Sequence, residues 1–280
     1  MNYRHAYHAG NFADVFKHAI LMLLIEHLRE KDKPFTVIDT HAGIGMYDLA
    51  SAAAQKTLEY RDGIVRLVEA PAPSPAFSRF RDLVAGIVGL ETGQEVRRYP
   101  GSPRIARTLL RAGDRLQLVE LHPEDVQTLR AGFARDRQTL IHHMDAYTAL
   151  KALLPPTPRR GLVLIDPPFE KSDEFDRLVD GVHEAHRRWA TGIVAIWYPL
   201  KAAAPVARFH HKLAATGIRR ILNAELTLGP LDDASLMGCG MTIINPPWRL
   251  DAELAPMLNE LASLLARPDG EGTVRWLVPE

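Results

Sequence analysis

The sequence predicts an α/β fold: a mostly parallel, doubly wound sheet of seven strands, closed by an antiparallel C-terminal hairpin and interrupted by a small helical insertion. Three observations predict it. Short apolar runs alternate with stretches of helical periodicity along most of the chain. The last two apolar runs follow one another with no helix between, so they can pair only as an antiparallel hairpin. About 75 residues separate the first strand from the second, where a single crossover helix needs far fewer.

Taken in order, the chain opens on a helix from about Asn11 to Glu30, whose apolar positions Val15, Phe16, Ala19, Ile20, Leu23, Leu24 and Leu28 recur at helical spacing. Asn11 can cap it, with Asp14 three residues on. The first strand, Phe35 to Asp39, runs into Thr40-His41-Ala42-Gly43-Ile44-Gly45, a glycine-bearing turn typical of nucleotide-cofactor sites. The extra length falls in residues 51–99, read as an inserted helical subdomain of an otherwise single domain spanning residues 1–280. It holds two amphipathic patterns, Thr57 to Val68 and Ala76 to Leu90, on either side of the stiff turn Ala70-Pro71-Ala72-Pro73-Ser74-Pro75. Further strands are expected at Leu116 to Leu121, Thr139 to Asp145, Gly161 to Asp166 and Gly192 to Pro199, and the hairpin at Arg220 to Leu228 and Leu236 to Asn245.

Composition narrows the class. No apolar run approaches the roughly 20 residues that span a bilayer, and the N-terminus lacks an apolar leader core, so no membrane association and a cytoplasmic location are expected. Cys239 is the single cysteine; it has no partner for a disulfide or a thiolate metal site and reads as a small buried residue. The histidines near the N-terminus lack ligand-spaced carboxylate or cysteine partners, so no metal is expected. The formal net charge is zero, which is unusual for a protein that meets a polyanion. Between Phe77 and Arg115, eight arginines (79, 81, 97, 98, 104, 107, 111, 115) face four acids, making that segment the candidate phosphate-facing surface.

In a sheet of this kind ligands sit outside the carboxyl ends of the strands, so the residues that close each strand form the candidate site. Asp39 ends the first strand, and Gly43 and Gly45 let the backbone approach a ligand without a Cβ in the way. Glu120 ends the second, where a carboxylate can accept from two ribose hydroxyls. Asp145, beside Ala146, ends the third and can receive an adenine amino group. Each acid could instead simply cap the helix that follows. The fourth strand ends in Asp166-Pro167-Pro168-Phe169. Asp166 and the Pro167 carbonyl supply two acceptors for the hydrogens of a planar exocyclic amine, and Phe169 supplies a flat face on which an extruded base can stack. Asn245-Pro246-Pro247-Trp248 matches the same pattern. It follows an antiparallel strand, whose carboxyl end lies at the opposite edge of the sheet, so it reads as a structural turn.

With the strand inventory of a class I, Rossmann-like methyltransferase fold goes a specific set of motifs: Tyr3-Arg4-His5, His8-Ala9-Gly10-Asn11, Asp14, Lys17-His18, Asp39-Thr40-His41-Ala42-Gly43, Tyr99-Pro100-Gly101-Ser102-Pro103, Glu120-Leu121-His122-Pro123 and Asp166-Pro167-Pro168-Phe169. Over essentially the whole chain these resemble the RlmJ family of 23S rRNA adenine-N6 methyltransferases. The resemblance implies a monomer that takes S-adenosyl-L-methionine as donor and one adenine of 23S rRNA as target. It places His18, His41, Ser102, Glu120, Asp145 and Asp166 at the cofactor and Tyr3 at the RNA; Gly43 and Ala146 are expected at the cofactor beside them, and Arg4 and Lys17 at the RNA. Phe169 replaces the tyrosine usual in the family and Ala146 a common glycine. The rivals are a DNA adenine-N6 or protein glutamine-N5 methyltransferase, since the same tetrapeptide serves any planar amine or amide, and an RNA-binding scaffold without turnover.

Overall fold

In a computed structural model of the chain, residues 4–71, 74–91, 93–231, 235–265 and 269–280 are described. Tyr3, Ala72 and Pro73 lie outside the described residues, as do residues 232–234 of the expected hairpin loop.

The first helix, α1 (Phe12–Arg29), begins where expected: the Asn11 side chain accepts from the Asp14 backbone N–H at 2.9 Å. It is buried along nearly its whole length, polar residues Asp14, Lys17 and His18 included, so it is an internal helix rather than an amphipathic surface one. There follow β1 (Thr36–Asp39), β2 (Met46–Asp48), α2 (Ala52–Thr57), α3 (Ile64–Glu69), α4 (Pro75–Val88), β3 (Arg98–Pro100), α5 (Ser102–Leu109), β4 (Arg115–Glu120), α6 (Pro123–Gly132), β5 (Thr139–His143) and α7 (Ala146–Leu153). The second half runs β6 (Gly161–Ile165), α8 (Glu174–Arg188), β7 (Ile193–Leu200), α9 (Ala203–Ala214), β8 (Ile221–Thr227), β9 (Gly238–Ile244), α10 (Leu250–Leu265) and β10 (Gly272–Val278).

The main sheet has the order β10-β8-β9-β7-β6-β1-β4-β5. Strands β5, β4, β1, β6 and β7 are mutually parallel, and β9 is antiparallel to both β7 and β8, as the missing crossover helix requires. The count is eight rather than seven. The eighth, β10, pairs antiparallel with β8 at the sheet edge, where it is half-exposed on both faces and carries Arg275 amid its apolar residues, so it lacks the period of a core strand.

Central strands β1 and β6 are wholly buried, and their side chains divide between two layers by simple alternation. Leu162 and Leu164 of β6 point toward the core shared with α1, α5 and α10, while Val163 and Ile165 join the core under α8 and α9. In the long β1–β4 crossover, the short ribbon β2–β3 brackets the helices α2, α3 and α4. Phe77, Phe80, Val84 and Val88 bury one side of α4, and together with Tyr60, Ile64 and Leu67 most of these merge into the core around α1. Gly63 is forced by this packing: a Cβ there would fall 2.2 Å from the Gly10 carbonyl oxygen, which accepts from the Ile64 N–H.

Candidate active site

The parallel strands β1, β4, β5, β6 and β7 all deliver their carboxyl ends to one edge of the sheet, where a cleft of about 1380 Å³ opens. His18, His41, Gly43, Ser102, Glu120, Asp145, Ala146, Asp166, Pro167 and Phe169 all line it, although they come from segments as distant as α1 and α8's leading loop.

At one end of the cleft, the turn after β1 sits against β4. Gly43 has φ +60°, and a Cβ there would lie 2.2 Å from the Tyr47 hydroxyl, so only glycine fits. Its N–H donates to Glu120 Oε2 at 2.8 Å, and the His122 N–H donates to Oε1 at 2.7 Å. Burial raises the Glu120 carboxyl above the usual range, and those backbone donors offset part of the rise. Ser102, the buried first residue of α5, donates to Asp39 Oδ2 at 2.6 Å, and the His41 N–H to Oδ1 at 3.1 Å. Even so, burial pushes Asp39 up to about 6. His41 is pushed down to about 4 by burial. Its Nδ1 lies 3.3 Å from the Asp166 backbone nitrogen and 2.9 Å from Thr40 Oγ1.

Asp145 is also a helix cap: Oδ1 accepts from the Thr148 N–H at 3.0 Å, and Oδ2 lies 3.6 Å from Arg177. Arg177 in turn stacks over the Tyr147 ring, whose hydroxyl donates to Glu174 at 2.6 Å. Ala146 is buried as the first residue of α7.

Around the tetrapeptide the structure adds a chain of charges. Lys17 Nζ donates to Asp166 Oδ2 at 2.5 Å and lies 3.0 Å from Asp14 Oδ1. Asp14 Oδ2 accepts from the Gly10 N–H and pairs with His5 Nε2, both at 2.9 Å. Burial alone would drive Lys17 down and Asp14 up, but their mutual attraction, with Asp166 on one side and His5 on the other, holds Lys17 well above its ordinary value and Asp14 well below. His18, stacked on Tyr99 and bonded to its hydroxyl at 2.8 Å, is kept neutral by burial. No hydrogen bond among the described residues engages Asp166 Oδ1 or the Pro167 carbonyl, so both acceptors remain open. Phe169 has φ +50°, a conformation rarely adopted by a bulky residue, and is wedged against Phe175 at 5.0 Å and Trp197 at 6.1 Å.

The residues expected at the RNA distribute differently. Lys17 is buried beneath Asp166 rather than facing outward. Arg4 lies outside the cleft and bonds His122 and Glu124, at 3.0 and 3.1 Å. Tyr3 is outside the described residues. None of the eight arginines of residues 77–115 lines the cleft, and the side chains of seven bond within the chain, among them Arg79 with Glu26, Arg107 with Asp136 and Arg111 with Asp114. His210 is buried on α9 and bonded to the Tyr198 hydroxyl at 3.0 Å. Sequence reasoning missed the end of β7, where Trp197, Pro199 and Lys201 line the cleft, although the strand-end rule applied to the other strands points there too.

The second tetrapeptide lies at the far edge. Ile244 is in register with Val194 at the start of β7, and Asn245 Nδ2 donates to the carbonyls of Ala190 and Gly192 at 2.7 and 2.9 Å. Trp248 is 83% exposed. Among the described residues no cluster of three or more His, Cys, Asp or Glu could hold a metal, and no helix is long and apolar enough to cross a membrane.

Comparison with known proteins agrees with this geometry. The family model described as ribosomal RNA large subunit methyltransferase D, RlmJ, matches residues 32–278. Over the full length of both chains, the sequence is 45% identical to ribosomal RNA large subunit methyltransferase J of Escherichia coli (strain K12) and 43% identical to that of Haemophilus influenzae. The crystal structure of protein LPL1258 from Legionella pneumophila superposes with a TM-score of 0.87 at 34% identity, covering 96% of this chain and 98% of that one.

Proposed function

We propose that this chain, which belongs to the RlmJ family of ribosomal RNA large subunit methyltransferases, methylates the N6 amino group of an adenine in 23S rRNA with S-adenosyl-L-methionine as donor. The observation that carries the reading is the place of Asp166: at the carboxyl end of β6, in the same cleft as the Gly43 turn and Glu120, with an open oxygen beside the open Pro167 carbonyl.

The residues fit that donor. The bare backbone at Gly43 leaves room for a close approach, and each Glu120 oxygen, already holding one backbone N–H, keeps a lone pair for a ribose hydroxyl. His41 and Ser102 line the same end, and Asp145 with Ala146 flanks the base position. Bound there, the donor supplies a methyl group on a positively charged sulfur, open to in-line displacement.

Everything else falls to the chain. An exocyclic amine conjugated to its ring is planar and a poor nucleophile. Lys17 fixes Oδ2 of Asp166, so Oδ1 is presented in one direction and accepts one amino hydrogen; the Pro167 carbonyl accepts the other. Together they draw the nitrogen lone pair out of the ring and aim it. Phe169, braced by Phe175 and Trp197, offers its face to the extruded base. Residues 51–99 act as an insertion within a single domain that works as a monomer in the cytoplasm.

The test is transfer of tritiated methyl from the donor to protein-free 23S rRNA, duplex DNA and a glutamine-bearing protein, side by side. Label in an N6-methyladenine of the RNA is expected. Label confined to DNA or protein, or absence of donor binding, contradicts the reading.

A further inference from the structure

We infer that the RNA backbone enters along one rim of the cleft, held by Lys171, Lys201 and Arg208; the inference rests on the RNA-methylating reading above and names its docking surface. A protein with zero net charge needs its phosphate contacts concentrated, because affinity for a polyanion scales with the number of cations that displace counterions. The sequence alone points to the arginines of residues 77–115, but those sit away from the cleft and are mostly held by carboxylates or backbone carbonyls. The rim is the reverse case.

Lys171 stands two residues beyond Phe169, on the loop that leads into α8. Lys201 follows β7 directly, and Arg208 lies on α9. All three line the cleft, all three are exposed, and the side chain of none makes an ion pair or hydrogen bond among the described residues. Of the acids lining the same cleft, Asp176 holds Lys212 at 2.5 Å, Asp62 holds Arg66 at 2.7 Å, and Glu170 has a partner within the chain. On α9, Pro205, Arg208 and Lys212 recur at three- and four-residue spacing, so one face of the helix forms the cleft wall with cations a turn apart. Lys201 lines the same cleft as His8 of the N-terminal turn. A strand laid on these three cations passes the opening at whose floor Asp166 and Phe169 lie, so a base turned inward from it reaches the tetrapeptide without the duplex entering the cleft.

The test compares two triple variants of the full chain: Lys171→Ala with Lys201→Ala and Arg208→Ala, and, as control, the exposed Arg79→Ala with Arg97→Ala and Arg115→Ala. Affinity for protein-free 23S rRNA is measured over a series of potassium chloride concentrations, and methyl transfer is read in the same samples. The slope of log affinity against log salt is expected to shrink by about 2 to 3 in the rim variant, one contact contributing about 0.7 to 0.9, and to stay unchanged in the control. Donor affinity, measured separately by calorimetry, should be unchanged in both. An unchanged slope in the rim variant, or an equal loss in the control, overturns the rim. Absence of transfer by the unsubstituted protein overturns the methylation reading instead, so the two failures are distinguishable.

Discussion

Two loops of this molecule carry almost the same four residues at opposite edges of one sheet, and they do opposite things. Asp166-Pro167-Pro168-Phe169 follows a parallel strand and opens into the cleft with its carboxylate backed by a buried lysine. Asn245-Pro246-Pro247-Trp248 follows the antiparallel β9, so the same pattern emerges at the amino ends of the parallel strands; there the Asn245 amide ties two backbone carbonyls and Trp248 lies open to solvent. Strand direction, rather than the tetrapeptide itself, decides which loop meets a ligand. The cleft edge also concentrates buried ionisable groups, Asp14, Lys17, Asp39 and Glu120, whereas the far edge holds Asp114, paired with Arg111, and at the second tetrapeptide a neutral amide. Buried charge is costly unless paired, and its accumulation at one edge marks where the fold gives up stability for chemistry.

The largest effect that can sharpen this contrast is on Lys17. Lys17→Met strips a buried partner from both Asp14 and Asp166, and should lower stability by about 3 to 5 kcal/mol in denaturant unfolding. A loss below about 1 kcal/mol would show that the charge chain is not held as drawn. Because its pKa is raised, Lys17 stabilises the fold throughout the range below the unfolded lysine value near 10.4, and that contribution fades only as pH rises through the still higher folded value.

Asp39 gives the next effect, with the opposite sign. Its folded carboxyl keeps the proton up to about 6, whereas the unfolded one releases it near 3.8, so between those values the folded state holds more protons. This group therefore makes the fold less stable as pH rises through that window. Asp39→Asn should gain stability relative to the unsubstituted protein by up to about 3 kcal/mol between pH 4 and 6. Equal stability differences at pH 4.5 and pH 6.5 would contradict it.

Smaller still is the stacking contribution. Phe169→Ala should weaken RNA productively bound at the site by about 1 to 3 kcal/mol, seen as a raised KM, while Trp248→Ala leaves KM within twofold. Equal effects from the two aromatic residues would erase the distinction between the loops.

Much of this was legible in the sequence because the central strands are buried on both faces and therefore uninterrupted in apolar character; their ends, Asp39, Glu120, Asp145 and Asp166, could be read as one site before any contact was known. What escaped is what periodicity does not encode. Strands β2 and β3 are three residues each, and β10 is an exposed edge broken by Arg275. Lys17 and Asp166 lie 149 residues apart, so nothing local signals their bond, nor that the lysine lies buried between two carboxylates. Counting arginines over residues 77–115 measured charge without partners, and Arg79, Arg107 and Arg111 are paired with Glu26, Asp136 and Asp114.

The central claim is that the loop after β6, and not its twin after β9, holds the amine. Methyl transfer to protein-free 23S rRNA by Asp166→Ala and by Asn245→Ala tests it most directly. The account predicts a fall of about 10²- to 10³-fold for Asp166→Ala with donor affinity kept. For Asn245→Ala it predicts a rate within about twofold of the unsubstituted protein, with only stability reduced, by about 1 to 2 kcal/mol. Full activity in Asp166→Ala, or a comparable collapse of rate in a folded Asn245→Ala, contradicts it.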